Sequence, residues 1–148
     1  MKEPILRKAI YLPIDPPTRT AQQKGVRVVR GHAQFYEKRE VSEAKAILKD
    51  QLLEYVPDEP YQGALMVGVV WAFSTTVRKK IKEEYRTTRP DLDNLFKGLA
   101  DCLCELGYFA DDSLITELNL RKIWVAPEDA HLSITISEFV EVADDEIN

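Results

Sequence analysis

Between Gly63 and Phe73 the chain reads GALMVGVVWAF, eleven residues without a charge. Such a run must be hidden from water. It is too short to cross a bilayer as a helix, which takes about 20 apolar residues. Its wealth of Val, Leu, Met, Trp and Phe, carried on to Ser74, reads as a central strand buried on both faces. At 148 residues the chain is one domain, 1–148, with room for a real hydrophobic core. A composition of 45% hydrophobic and 30% charged residues is that of an ordinary globular protein.

The remaining elements arrange themselves around that strand. Arg7 to Asp15 mixes β-branched and apolar residues and stops at Pro16-Pro17, a short strand and then a turn. TRTAQQKG is polar and turn-like. VRVVR and AQFY flank Gly31-His32 as a hairpin. From Arg39 to Tyr55, apolar Val41, Ala44, Leu48, Leu52 and Tyr55 recur at three and four residues, an amphipathic helix ended before Pro57. Leu92, Leu95, Phe96, Leu99, Leu103 and Leu106 make the stripe of a second helix, with Gly107 placed to end it. Residues 114–121 and 132–137 alternate as strands, joined through APEDA as an antiparallel hairpin. The tail, 142–148, reads as frayed. The sum is an α+β domain, one mixed or antiparallel sheet with two main helices packed on it.

Charge is divided along the chain. Residues 1–97 hold 18 basic and 13 acidic side chains, residues 98–148 hold 2 and 12. A chain of net charge −5 is no simple basic nucleic-acid binder, yet it can carry a local positive face. The cations crowd into VRKKIKEEYRTTR, Val77 to Arg89. Cys102 and Cys104, two apart on a helix, point to different faces and read as buried or half-buried thiols. His32 and His131 lack zinc spacing. The N-terminal residues lack the apolar stretch of a secretion signal, so a cytoplasmic protein is expected.

The segment RTTRPDLDNLFKGL sets two aspartates at the mouth of the second helix. One reading is punctuation. Pro90 disfavours helix at Arg89, Asp91 is a good N-cap, and Asp93 gains about 0.3–1 kcal/mol from the helix N-terminus, with Lys97 one turn on. The other reading is a metal site. In extended or turn backbone, Asp91 and Asp93 point to one side and repel each other unless a cation lies between them. Mg²⁺, hard and oxygen-seeking, suits one or two carboxylates plus waters and a phosphate. Lys97 could then reach a phosphate, and Arg86 and Arg89 could hold the polyanion.

Asp111-Asp112 offers a further carboxylate, but distance intervenes. A helix from Leu92 to Leu106 is about 22 Å long, and the five residues Gly107 to Asp111 reach at most ~17 Å. Either the regular helix starts later than Leu92, or the strand carrying Asp112 crosses obliquely, or Asp112 serves a partner subunit's site.

The ordered set RPDLDNLFKGLADCL…GYFADDS resembles the RusA family of Holliday junction resolvases, small cellular and phage endonucleases. The match rests on Asp-Leu-Asp-Asn, a lysine four residues past the second aspartate, and an Asp-Asp pair after the helix, and it is strongest over residues 85–125. The resemblance implies that Asp91, Asp93 and Asp112 are the catalytic, metal-binding aspartates and that Lys97 is the catalytic-region lysine, with Asn94 and Asp111 at further motif positions. It also implies a homodimer that makes Mg²⁺-dependent paired cuts in four-way DNA junctions during recombination and repair. Lys79, Lys80, Lys82, Arg86 and Arg89 would bind the DNA backbone. Rival readings are a module that binds junctions or other branched DNA without cutting, and an α+β interaction domain whose aspartates only cap.

Overall fold

A computed structural model describes residues 1–19, 25–29, 32–36 and 39–143. The order is β1 (Lys2–Leu12), β2 (Gly25–Val29), β3 (His32–Tyr36), α1 (Arg39–Leu52), β4 (Leu65–Ser74), α2 (Arg78–Glu83), α3 (Leu92–Leu106), β5 (Ile115–Val125) and β6 (His131–Glu141). Four strands form one mixed sheet in the order β1-β6-β4-β5, and β2 and β3 form the expected antiparallel hairpin. Residues 20–24, 30–31, 37–38 and 144–148 lie outside the described residues, and with them most of the polar segment TRTAQQKG and of the tail.

The apolar run is the central strand β4, parallel to β5 and antiparallel to β6. Its burial is one-sided from Leu65 to Val70, a correction to the expectation of two covered faces, and only towards its end, at Ala72, is the other face buried as well. Leu65, Val67, Val69, Trp71 and Phe73 are buried under the helices. Met66, Gly68 and Val70, on the other face, are only half-buried. Small side chains leave that face open and let the strands close up. A Cβ at Gly68 would stand 2.9 Å from Thr135 Oγ1 on β6.

β5 and β6 are strands, but they are not a hairpin. They flank β4 on opposite sides, and the link between them, a 3₁₀ turn at Pro127–Asp129, packs against β4 as it crosses. Alternation identifies a strand and not its neighbour. Here the most apolar strand takes the centre, because that place removes most of its surface from water. The basic stretch also differs from the loop expected, since Arg78–Glu83 forms the short helix α2.

α1 and α3 pack on each other and on the covered sheet face. The predicted stripe of α3 is its inner side, with Leu95, Leu99, Cys102 and Leu103 buried and Leu92, Phe96 and Leu106 packed around them. Gly107 ends α3 at φ 97°, a left-handed conformation open to glycine, and its N–H caps the carbonyls of Leu103 and Cys104. Cys102 is buried and Cys104 half-buried, as expected, and burial raises both thiol pKa values. The α1 helix tightens into a 3₁₀ turn at Leu53–Tyr55. No helix among the described residues is long and apolar enough to cross a membrane.

The two helices are tied at one end by Tyr108. It is fully buried, its hydroxyl donates to the Leu52 carbonyl at the end of α1 (2.5 Å), and its carbonyl accepts from Tyr61 N–H (2.8 Å). Burial pushes the phenol well above its ordinary pKa, so it stays a donor at all ordinary pH. Tyr108→Phe keeps the ring and orphans the Leu52 carbonyl. Urea unfolding is expected to show a loss of about 1–2 kcal/mol, and an unchanged midpoint would mean that the carbonyl finds another donor.

Candidate active site at the mouth of the long helix

The site begins where β4 ends. Asp15, just past β1, accepts from Ser74 N–H (3.1 Å) and from Ser74 Oγ (2.7 Å), which fixes the exit of the central strand. The chain then forms α2, whose Arg78, Lys79, Lys80 and Lys82 are exposed. Glu84 reverses the chain at φ 67°. The next residues lie along the free edge of β5, with Tyr85 bridged to Ile123, Trp124 N–H donating to the Glu84 carbonyl (2.6 Å) and Arg86 N–H to the Lys122 carbonyl (3.1 Å). This covers part of an otherwise open sheet edge. It also carries the chain to the start of α3.

Asp91 occupies the N-cap of α3 in extended backbone, φ −74° and ψ 147°. Its side chain makes no capping hydrogen bond. Punctuation would require that bond. Asp93 is in the first turn, in helical rather than extended backbone, and its Oδ1 accepts from Asn94 N–H (2.9 Å). Both carboxylates are exposed, and Lys97 is exposed one turn further on. The two exposed carboxylates are hard oxygen donors and fit a cation that takes one or two carboxylates and completes its shell with water, their charge outweighing the partial positive charge of the helix end.

Asp112 is elsewhere. α3 does start at Leu92, so a late start does not shorten the gap. Asp112 opens a 3₁₀ turn that leads into β5, and Asp111 and Asp112 lie against the Cys104 thiol, where their charges help burial to raise its pKa. Cys104 stands eleven residues beyond Asp93, about 16 Å along the helix. Asp111 itself is held below the usual carboxylate range by hydrogen bonds from Ser113. β5 then runs back along α3, and what it delivers to the helix start is Lys122. Among the described residues, no group of three or more His, Cys, Asp or Glu within the chain could hold a metal ion.

Lys122 is the residue that sequence reasoning missed. Its Nζ donates to the carbonyls of Thr88 (2.7 Å) and Pro90 (2.8 Å). Burial lowers its pKa, Arg86 lowers it further, and Asp91 opposes the change. The signal lies in the strand register and not in the sequence alone: Leu120, Lys122 and Trp124 pair with the inward residues Val69, Trp71 and Phe73 of β4, so a lysine stands on the covered side of the strand. Arg86, expected on DNA, faces the protein. Its guanidinium lies over Phe73 (4.4 Å) and Trp124 (4.5 Å), and it donates to the Arg89 carbonyl (2.6 Å) and Thr88 Oγ1 (3.2 Å). Burial lowers its pKa, with Asp15 opposing. Lys79, Lys80, Lys82 and Arg89 remain exposed, Lys80 with its ammonium over Trp124 (4.8 Å).

Oxygen donors at a helix mouth, flanked by a cationic helix, are the groups that a divalent cation and a phosphate polyanion would respectively need. The family model described as Endodeoxyribonuclease RusA matches residues 13–137. The crossover junction endodeoxyribonuclease rusA of Lactococcus phage r1t is 36% identical over 120 residues, 80% of this chain and 88% of the phage protein. The chain belongs to the RusA endodeoxyribonuclease family.

Proposed function

We propose that this protein is a Mg²⁺-dependent endodeoxyribonuclease that resolves four-way DNA junctions by paired symmetric nicks, acting as a homodimer. The observation that carries the reading is the state of Asp91, an N-cap aspartate whose carboxylate leaves the cap unmade and stays exposed beside Asp93. Family membership supplies the reaction class, and the crossover-junction activity of the phage relative supplies the substrate.

Asp91 and Asp93 would hold the metal. Of the three geometries open to Asp112, its place near the far end of α3 favours completion of a site by Asp112 of the partner subunit. A C₂ dimer then contains two such composite sites, one for each strand of a symmetric junction. When bound, the divalent ion supplies a polarised water and neutralises charge at the phosphate. Lys97, on the exposed side of the first turns, is placed to stabilise negative charge gathering on the phosphate oxygens. The cations of α2, Lys79, Lys80 and Lys82, together with Arg89, would follow the DNA backbone, and junction shape rather than base edges would set selectivity.

The test uses a labelled synthetic four-way junction and a linear duplex of the same sequence, each with Mg²⁺ or with chelator. Wild type is expected to make paired cuts in the junction alone, lost in chelator. Asp93→Asn is expected to lose at least about 10²-fold in cleavage rate while junction affinity in chelator stays within about twofold. Joint loss of binding and cleavage would count against a metal role, and binding without cutting by wild type would make the protein a junction-binding module.

The α2 cations carry a separate expectation. Replacing Lys79, Lys80 and Lys82 with Ala should reduce the slope of log affinity against log salt by about 2–3, close to one for each phosphate no longer neutralised. An unchanged slope would place the DNA on another face.

A further inference from the structure

The loop Thr87–Pro90 has three successive carbonyls, at Thr88, Arg89 and Pro90, and a cation takes each of them. Lys122 Nζ binds the first (2.7 Å) and the third (2.8 Å), and the Arg86 guanidinium binds the second (2.6 Å). Arg86 Nε also donates to Thr88 Oγ1 (3.2 Å). Both cations are themselves anchored. Lys122 projects from the inner row of β5, opposite Trp71. Arg86 is stacked on Phe73 and Trp124. The loop is thus fastened to the rigid sheet, and it ends at Asp91.

We infer that Lys122, with Arg86, is a positioning element for the metal-binding aspartates, setting the backbone from which Asp91 and Asp93 reach the ion. The inference rests on the reading of Asp91 as a metal ligand. Asp91 lacks the side-chain cap that would otherwise fix it, so its place depends on the backbone before it and on the helix bond from Leu95 N–H to its carbonyl (3.0 Å). Metal sites tolerate little slack, and the groups that orient ligands commonly matter 10–100-fold in metal affinity. Neither cation needs to touch metal or DNA for this role.

The sign of the effect separates positioning from simple electrostatics. A lysine near a dication repels it, so by Coulomb's law alone Lys122→Met would tighten metal binding. Positioning demands the reverse, because Met keeps the stem and removes the donors that hold the carbonyls.

The experiment is calorimetric titration of Mn²⁺ into the full-length protein without DNA, with junction affinity measured in chelator beside it. Lys122→Met is expected to bind Mn²⁺ about tenfold or more weakly, with junction affinity within about twofold of wild type. Lys122→Arg, which keeps a cationic donor, should stay within about threefold. If Lys122→Met does not fold, Arg86→Lys tests the same point through the other cation and should weaken Mn²⁺ several-fold. Equal or tighter Mn²⁺ binding by a folded variant overturns positioning, as does a junction affinity that falls in step, which would make Lys122 a DNA-binding residue. Asp91→Asn is the control on the underlying reading. Wild-type Mn²⁺ affinity in that variant removes Asp91 as a ligand and the inference with it, whereas a weakened Asp91→Asn beside an unaffected Lys122→Met overturns positioning alone.

Discussion

The parallel pairing of β5 with β4 governs the geometry of the site. A strand parallel to β4 that begins where α3 ends has one course, back along the helix toward its start. Seven residues separate Ile115 from Lys122, about 23 Å of strand, close to the length of the helix beside it. The two ends of β5 therefore serve opposite ends of α3. Asp112 stays with Cys104 near the last turn, and Lys122 reaches the loop before the first. A chain with this pairing separates its third acidic motif from the first two by the length of a helix.

The same pairing explains how an acidic chain presents cations where a polyanion would need them. The basic residues of 78–89 are held at one corner of the sheet by the bond between Trp124 and Glu84 and by the Tyr85 bridge to β5. They divide the work there. The lysines of α2 face outward, and Arg86 turns inward onto Phe73 and Trp124. Arg suits the inward place because its flat guanidinium stacks on aromatic faces while its N–H groups still donate in plane. The acidic excess that sets the net charge lies beyond residue 98, where 12 acidic side chains meet only 2 basic ones, while the stretch 78–89 keeps a basic excess of its own.

Much of this was legible in the sequence for reasons of period. The 3.6-residue stripes of α1 and α3, the cap at Gly107 and the apolar run of β4 each follow from local chemistry, and each appears where the pattern puts it. Pairing was not legible. Leu118 and Ile134 alternate with polar neighbours alike, and alternation is silent on whether β5 and β6 meet each other or a third strand. The open face of β4 was hidden for a related reason, since Met66 and Val70 are as apolar as Val67 and Val69. The aspartates were recognisable as an ordered motif, but their separation depends on the course of β5, a tertiary fact. Lys122 needed the register, because only opposite Trp71 does its inward place become visible.

The central claim is that one active site draws Asp91 and Asp93 from one copy of the chain and Asp112 from another. Asp93→Asn and Asp112→Asn chains, co-expressed with different tags and purified as the mixed dimer, test it directly. In a shared arrangement one of the two sites collects both defects and the other is intact. The mixed dimer should then nick one strand of a four-way junction in Mg²⁺, where each mutant homodimer is inactive. A mixed dimer as inactive as its parents would contradict the account, because it would mean that each site takes all its aspartates from a single chain.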